Sequence, residues 1–122
     1  MRAVLDTNAV IYLQKGQLEA PLPPGEYLIS AITEIELLSF AGLDDMQRSW
    51  LQRLIDDLEV VEIDWAIKQC AITLRRSHRL KLPDALIAAT ALTRDAVLLT
   101  NDGQLANLPG LRCQALRLRE AR

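Results

Sequence analysis

The chain has 122 residues, half of them hydrophobic, and a formal net charge of −2. Such a length and composition suit one domain, expected to span residues 1–122, with enough apolar surface for a core that needs no disulfide or metal staple. No apolar run approaches ~18 residues and no basic start leads into a hydrophobic segment, which excludes a membrane span and a secretory leader, so the expected location is the cytoplasm.

The predicted elements alternate. Arg2–Leu5 reads as a short, fully covered strand. Asp6, Thr7 and Asn8 follow without a linker, and Asn8–Gln14 reads as a short helix. Pro21, Pro23, Pro24 and Gly25 mark a loop. Glu26–Ile29 reads as a strand and Ala31–Ala41 as a helix closed by Gly42. Asp44 and Asp45 open a third helix, in which Met46, Trp50, Leu51, Leu54 and Leu58 recur at three- and four-residue spacing. Its stripe of Met46, Trp50 and Leu54 reads equally as core packing or as a dimer interface. "EVVEI" is a strand, and Asp64 caps a helix that runs to about His78. Pro83 suits the first position of a helix ending near Thr93. "AVLLT" is a strand, "GQLANL" a short helix or turn, and Cys113–Leu118 a last strand. This alternation predicts an α/β fold: a three-layer α/β/α sandwich around a mostly parallel sheet.

Few residues outside the acidic set suggest chemistry. Cys70 and Cys113 are isolated and read as buried free thiols. A His-based zinc site or a Ser–His–Asp triad would rest on His78 alone, and no local motif supports either. The charge is unevenly spread. Residues 1–64 hold four basic and twelve acidic side chains, and residues 65–122 hold ten and four. Arg75, Arg76, Arg79 and Lys81 cluster, and Arg112, Arg117, Arg119 and Arg122 follow. A basic second half can hold a phosphate backbone, or can simply be a solvated surface.

Four acidic residues stand at element junctions. Asp6 follows the first strand, Glu36 lies in the helix after the second, Asp84 opens the helix after Pro83, and Asp102 follows "VLLT". Each has a local explanation. Asp6 suits a helix N-cap, Thr33-x-x-Glu36 a capping box, Asp84 the macrodipole, and "NDG" a turn. Together they suggest more. A parallel sheet brings strand carboxyl ends to one edge, where open α/β sheets place ligands. Grouped carboxylates repel, and a divalent cation relieves the repulsion. Mg²⁺ takes hard oxygen ligands and keeps waters and phosphates in its shell, and such ions activate water against phosphodiesters.

The segments "VLDTNAVIYL", "ISAITEIELLSF", "LKLPDALIAATAL" and "LLTND" resemble, in order and spacing, the acidic motifs of PIN-domain ribonucleases, in particular VapC-type toxins of type II toxin–antitoxin pairs. The resemblance spans nearly the whole chain. It implies a PIN-like fold and a Mg²⁺- or Mn²⁺-dependent endoribonuclease, with metal-binding and catalytic residues Asp6, Glu36, Asp84 and Asp102. Ser30, Thr33, Glu36 and Leu37 fit the second motif, which selects Glu36 over Glu34. Thr7, Asn8 and Thr100 are the implied polar support. Arg75, Arg76, Arg79 and Lys81 are the candidates for RNA binding. An antitoxin partner and a homodimer are implied as well. Phe40 departs from the pattern near where a Gly often ends the second motif; the first Gly is Gly42.

Three rivals remain. A receiver-type signalling domain groups aspartates similarly but needs a Lys after its last functional strand, and no Lys follows Lys81. The absence of that Lys also weighs against a haloacid-dehalogenase-type phosphatase, which would want a second Asp where Asn8 stands. A catalytically silent RNA- or protein-binding module is the third alternative.

Overall fold

The computed structural model describes residues 1–120, so Arg122 lies outside the described residues. Eleven elements follow in chain order: β1 (Arg2–Leu5), α1 (Thr7–Gln14), β2 (Glu26–Ser30), α2 (Ala31–Leu38), α3 (Asp45–Asp56), β3 (Glu59–Val61), α4 (Trp65–Ser77), α5 (Leu82–Thr93), β4 (Val97–Leu99), α6 (Gly103–Ala106) and β5 (Cys113–Gln114). The strands form one sheet in the order β3-β2-β1-β4-β5, and every pairing in it is parallel. The expected three layers follow from the period-two alternation of the strands. Ala3, Leu5, Ile29 and Leu99 pack with Val10, Leu37, Leu51 and Ile55 on one face. Val4, Leu28 and Leu98 pack with residues of α4, α5 and α6 on the other.

Local chemistry starts and stops the elements where the site needs them. Asp6, Ser30, Asp44 and Asp64 each cap the helix that follows with a side-chain oxygen. Asp44 and Gln47 complete a capping box. Gly25 is a requirement of close approach: a Cβ there would lie 2.3 Å from the Met1 carbonyl oxygen. That approach lets Glu26 N–H donate to Met1 O at 2.8 Å and sets β2 beside β1. α5 begins at Leu82, with Pro83 in its first turn, and is buried from Ala85 to Ala91. Its one buried hydroxyl, Thr90, donates to Leu86 O at 2.7 Å, so the helix carries no unpaired polar group into the core.

Some boundaries differ from the sequence expectation. α2 stops at Leu38, three residues before Ala41, because Ser39 closes the last turn on Ile35 O and Leu43 N–H then donates to Phe40 O. The last strand ends at Gln114 and does not reach Leu118. Beyond it the Asn101 side chain brackets Leu116, donating to its carbonyl at 3.0 Å and accepting its N–H at 2.7 Å. The chain then leaves the sheet, and Leu118 pairs antiparallel with Leu18.

Candidate active site

The order of strands reverses between β1 and β4, where the chain has run outward in both directions. Leu5 and Leu99 are register partners there, so the residues after them, Asp6 and Thr100, share the carboxyl edge of the sheet. This is the crevice in which parallel sheets hold ligands. Asp6 is only 5% exposed. Its Oδ1 accepts from Ala9 N–H at 2.7 Å, and its Oδ2 accepts from the Thr100 hydroxyl. The N-cap reading of Asp6 is therefore met, and the cap lies at the sheet edge that the site reading requires.

The other carboxylates come from three further elements. Asp102 caps α6, with Oδ1 accepting from Gln104 N–H at 2.8 Å, and its own N–H donates to Thr100 Oγ1 at 3.0 Å. Asp84 is half-buried in the first turn of α5. Glu36 extends from the exposed side of α2, and its Oε1 accepts from the Thr7 hydroxyl at 2.7 Å. Thr7 Oγ1 also lies 3.2 Å from the buried Thr33 Oγ1. Ser30 is the cap of α2, so Thr33 and Glu36 form no capping box.

Electrostatics tie these groups together. Burial raises the Asp6 carboxyl above the ordinary carboxylate range; Thr100 and the Ala9 N–H pull it back, and the charge of Asp102 adds to the rise. Burial also raises Asp84, and the charges of Asp102, Glu36 and Asp6 push it further, with Lys81 opposing them. Glu34 is not among the charges that act on Asp84. The donor set is all carboxylate oxygen with no thiolate or imidazole, which fits a hard divalent cation. As the side chains stand, no three His, Cys, Asp or Glu among the described residues are grouped closely enough to hold a metal ion. Mg²⁺ needs no such cage, since it commonly binds one or two carboxylates, waters and substrate phosphates.

The remaining sequence candidates divide. Thr7 and Thr100 hold carboxylates directly, whereas Asn8 is exposed in the first turn of α1. Lys81 sits next to the acidic edge, at the N-cap of α5. Arg75, Arg76 and Arg79 are exposed at the end of α4 and in the turn after it, and none of them is among the charges that act on Asp84. Sequence reasoning passed over Thr33 and Gln104. Thr33 was absorbed in a local motif, and its partner Thr7 is 26 residues away. Gln104 N–H caps onto Asp102, and its Nε2 donates to Arg79 O at 2.7 Å.

Beside the carboxylates a groove of about 670 Å³ runs between α1, α2 and α3, with Thr7 and Glu36 at its wall. Its lining is mainly apolar and includes Ile11, Phe40, Met46 and Trp50. Met46 is 82% exposed and Trp50 47%. The core reading of the Met46–Trp50–Leu54 stripe is therefore wrong for its first two members. α3 buries Leu51 and Ile55 instead, and Leu54 packs partly against them.

The PIN domain family matches residues 3–111. The chain belongs to the PIN-domain family. Its PIN fold is shared with a chain of a toxin–antitoxin complex from Klebsiella pneumoniae, at 32% identity over 89% of this chain and 94% of that one, with a TM-score of 0.76. VapBC-1 from nontypeable Haemophilus influenzae aligns at 25% identity over 94% and 98%, TM-score 0.77. DNA-bound VapBC from Salmonella typhimurium shares the fold at 24% identity over 94% and 98%, TM-score 0.81. The resemblance to VapC-type PIN toxins drawn from the motifs is borne out by these matches. No curated protein sequence matches the chain significantly. Among the described residues, no helix of this PIN domain is long and apolar enough to cross a membrane.

Proposed function

We propose that this PIN domain is a metal-dependent endoribonuclease of the VapC type, the toxin of a toxin–antitoxin pair. The observation that supports the catalytic reading is that Asp6 and Asp102 follow adjacent strands at the sheet edge and that the charges of Asp102, Glu36 and Asp6 all act on Asp84. Burial and mutual repulsion raise Asp6 and Asp84, a conflict that a cation removes. Those four residues would hold Mg²⁺ or Mn²⁺. When bound, the ion supplies Lewis-acid stabilisation of phosphoryl oxygens and a more acidic water.

The chain's own groups prepare the site. Thr100 and Ala9 N–H orient the two oxygens of Asp6 in a buried setting. Thr7, packed on Thr33, holds one oxygen of Glu36. Lys81 offsets part of the negative field at Asp84. The whole of residues 1–122 acts as one nuclease domain in this reading. The apolar groove is assigned to the antitoxin, since its wall ends at Thr7 and Glu36 and an occupant would cover the site. The chain would also form a homodimer, which light scattering tests.

RNA cleavage by the purified chain, lost with EDTA and restored by Mg²⁺ or Mn²⁺, is the expected result. RNA binding with no cleavage under any divalent cation would favour the silent binding module instead. The same outcome with no Mg²⁺ binding by calorimetry would remove the metal assignment.

A further inference from the structure

From Trp65 to Pro83 the chain carries five basic side chains and no acidic one. The end of α4 and the turn into α5 fold part of this segment around a concavity of about 410 Å³, lined by Ile72, Arg75, Arg76, His78, Arg79 and Leu80. Leu80 is buried and floors it. Arg75 serves the turn itself, since its Nε donates to Leu80 O at 3.3 Å. Arg76 and Arg79 are exposed, and neither meets a carboxylate among the described residues. Arg2, Arg94 and Arg112 do, pairing with Glu26, Asp64 and Asp95. The C-terminal dipole of α4 favours cations in its last turn, which accounts for Arg75 and Arg76 but not for Arg79 beyond it. A concave surface with cations and no anion of its own is suited to an external anion.

The concavity also has a fixed relation to the acidic edge. Gln104 donates from its backbone to Asp102 Oδ1 and from its side chain to Arg79 O, so one residue holds both. An acidic cluster repels a polyanion, and the attraction that holds a strand across it must come from its flanks. We propose that this pocket is a phosphate subsite for the RNA backbone, away from the scissile phosphate, with Arg76 and Arg79 as its contacts and Gln104 as the positioning residue that sets its distance from Asp102. The inference rests on the nuclease reading above. The arginine fork matches phosphate oxygens two at a time. Such contacts position a strand and carry no sequence information.

The test measures binding of unrelated single-stranded RNAs at several salt concentrations, in an Asp6→Asn background that prevents turnover. Removing two single-strand phosphate contacts flattens log affinity against log salt by about 1.4. Arg76→Gln with Arg79→Gln is expected to do so for every sequence, with Mg²⁺ affinity of the otherwise unaltered chain unchanged. Should that pair fail to fold, each single Arg→Gln variant carries the test, with a flattening of about 0.7. In the active chain, Gln104→Ala is expected to raise KM for RNA more than it lowers kcat. An unchanged slope in the arginine variants overturns the subsite. If those variants lose affinity for a partner protein while keeping the RNA slope, the pocket belongs to a protein interface, and the proposal is equally overturned. Cleavage by the parent chain with an unchanged slope sinks the subsite alone, and a parent that neither binds nor cleaves RNA sinks both readings.

Discussion

Thr100, at the end of β4, donates its hydroxyl to Oδ2 of Asp6, at the end of β1, across 94 positions of sequence. The same oxygen of Thr100 accepts the Asp102 N–H at 3.0 Å. One hydroxyl therefore joins the two acidic residues that close adjacent strands.

Thr100 lowers the Asp6 carboxyl against the rise that burial causes. Thr100→Val keeps the shape and removes the donor, so Asp6 should ionise at a higher pH than in the parent. A hydrogen bond to a charged group is worth about 1.5–3 kcal/mol, so kcat/KM at neutral pH should fall by roughly tenfold or more. The acidic limb of the pH–rate profile should move upward. Thr100→Ser should retain both. A Thr100→Val profile that overlays the parent would remove this role.

Asp6 and Asp84 are both raised above their ordinary value of 3.8. Between that value and the raised native ones, the metal-free native state binds more protons than the unfolded chain. Stability from these two groups thus falls as pH rises through that window, and their penalty is gone below it. Asp64 acts oppositely: the Ile67 N–H and then Arg94 lower it, so its contribution is present above 3.8 and is lost on acidification below it. Asp6→Asn keeps an acceptor for Ala9 N–H and removes a buried charge. Its metal-free melting temperature at neutral pH should equal or exceed the parent's, while cleavage is lost. Asp6→Ala should melt lower, because a lost cap costs about 1 kcal/mol. Thermal melts with and without Mg²⁺ decide the matter: a large drop for Asp6→Asn would make Asp6 a structural cap only.

Glu36 is bound by Thr7, and its charge reaches Asp84; Glu34 has neither link. Glu36→Gln should lower cleavage by roughly 100-fold or more, the scale of losing one preorganised electrostatic group. Glu34→Gln should stay within about twofold, as surface changes generally do. Single-turnover cleavage of one RNA by both variants provides the comparison. The reverse ranking would move the second acidic ligand to Glu34.

Trp50 lines the groove, while Leu51 beside it fills the core. Trp50→Glu should therefore fold, with the melting temperature shifted by only a few degrees. Binding of the antitoxin should weaken by roughly 30-fold or more if Trp50 is an interface anchor. Pull-down titration and light scattering separate the outcomes. A folded monomer that still binds antitoxin would give the groove to a second copy of the chain. An unfolded protein would return Trp50 to the core.

Much of this protein was legible in its sequence because the information is local. Alternating strands and helices, the caps Asp6, Asp44 and Asp64, and Pro83 at a helix start each act within a few residues, so periodicity and side-chain chemistry specify them without the rest of the chain. Asp6, Asp84 and Asp102 were visible as polar residues at element ends, whereas Glu36, inside α2, was singled out by the resemblance of its motif. The partners of these residues were not visible. Thr7 with Thr33 and Glu36, and Thr100 with Asp6, meet only because β1 lies between β2 and β4, and strand order is not written in local pattern. The same limit governed α3. Helical spacing marks Met46 and Trp50 as apolar, but whether a face is covered depends on what packs against it, and the sheet covers Leu51 and Ile55 instead. β5 ended early for a related reason: as an edge strand with one neighbour, it is held only as far as β4 runs, and the Asn101 side chain takes over the backbone beyond.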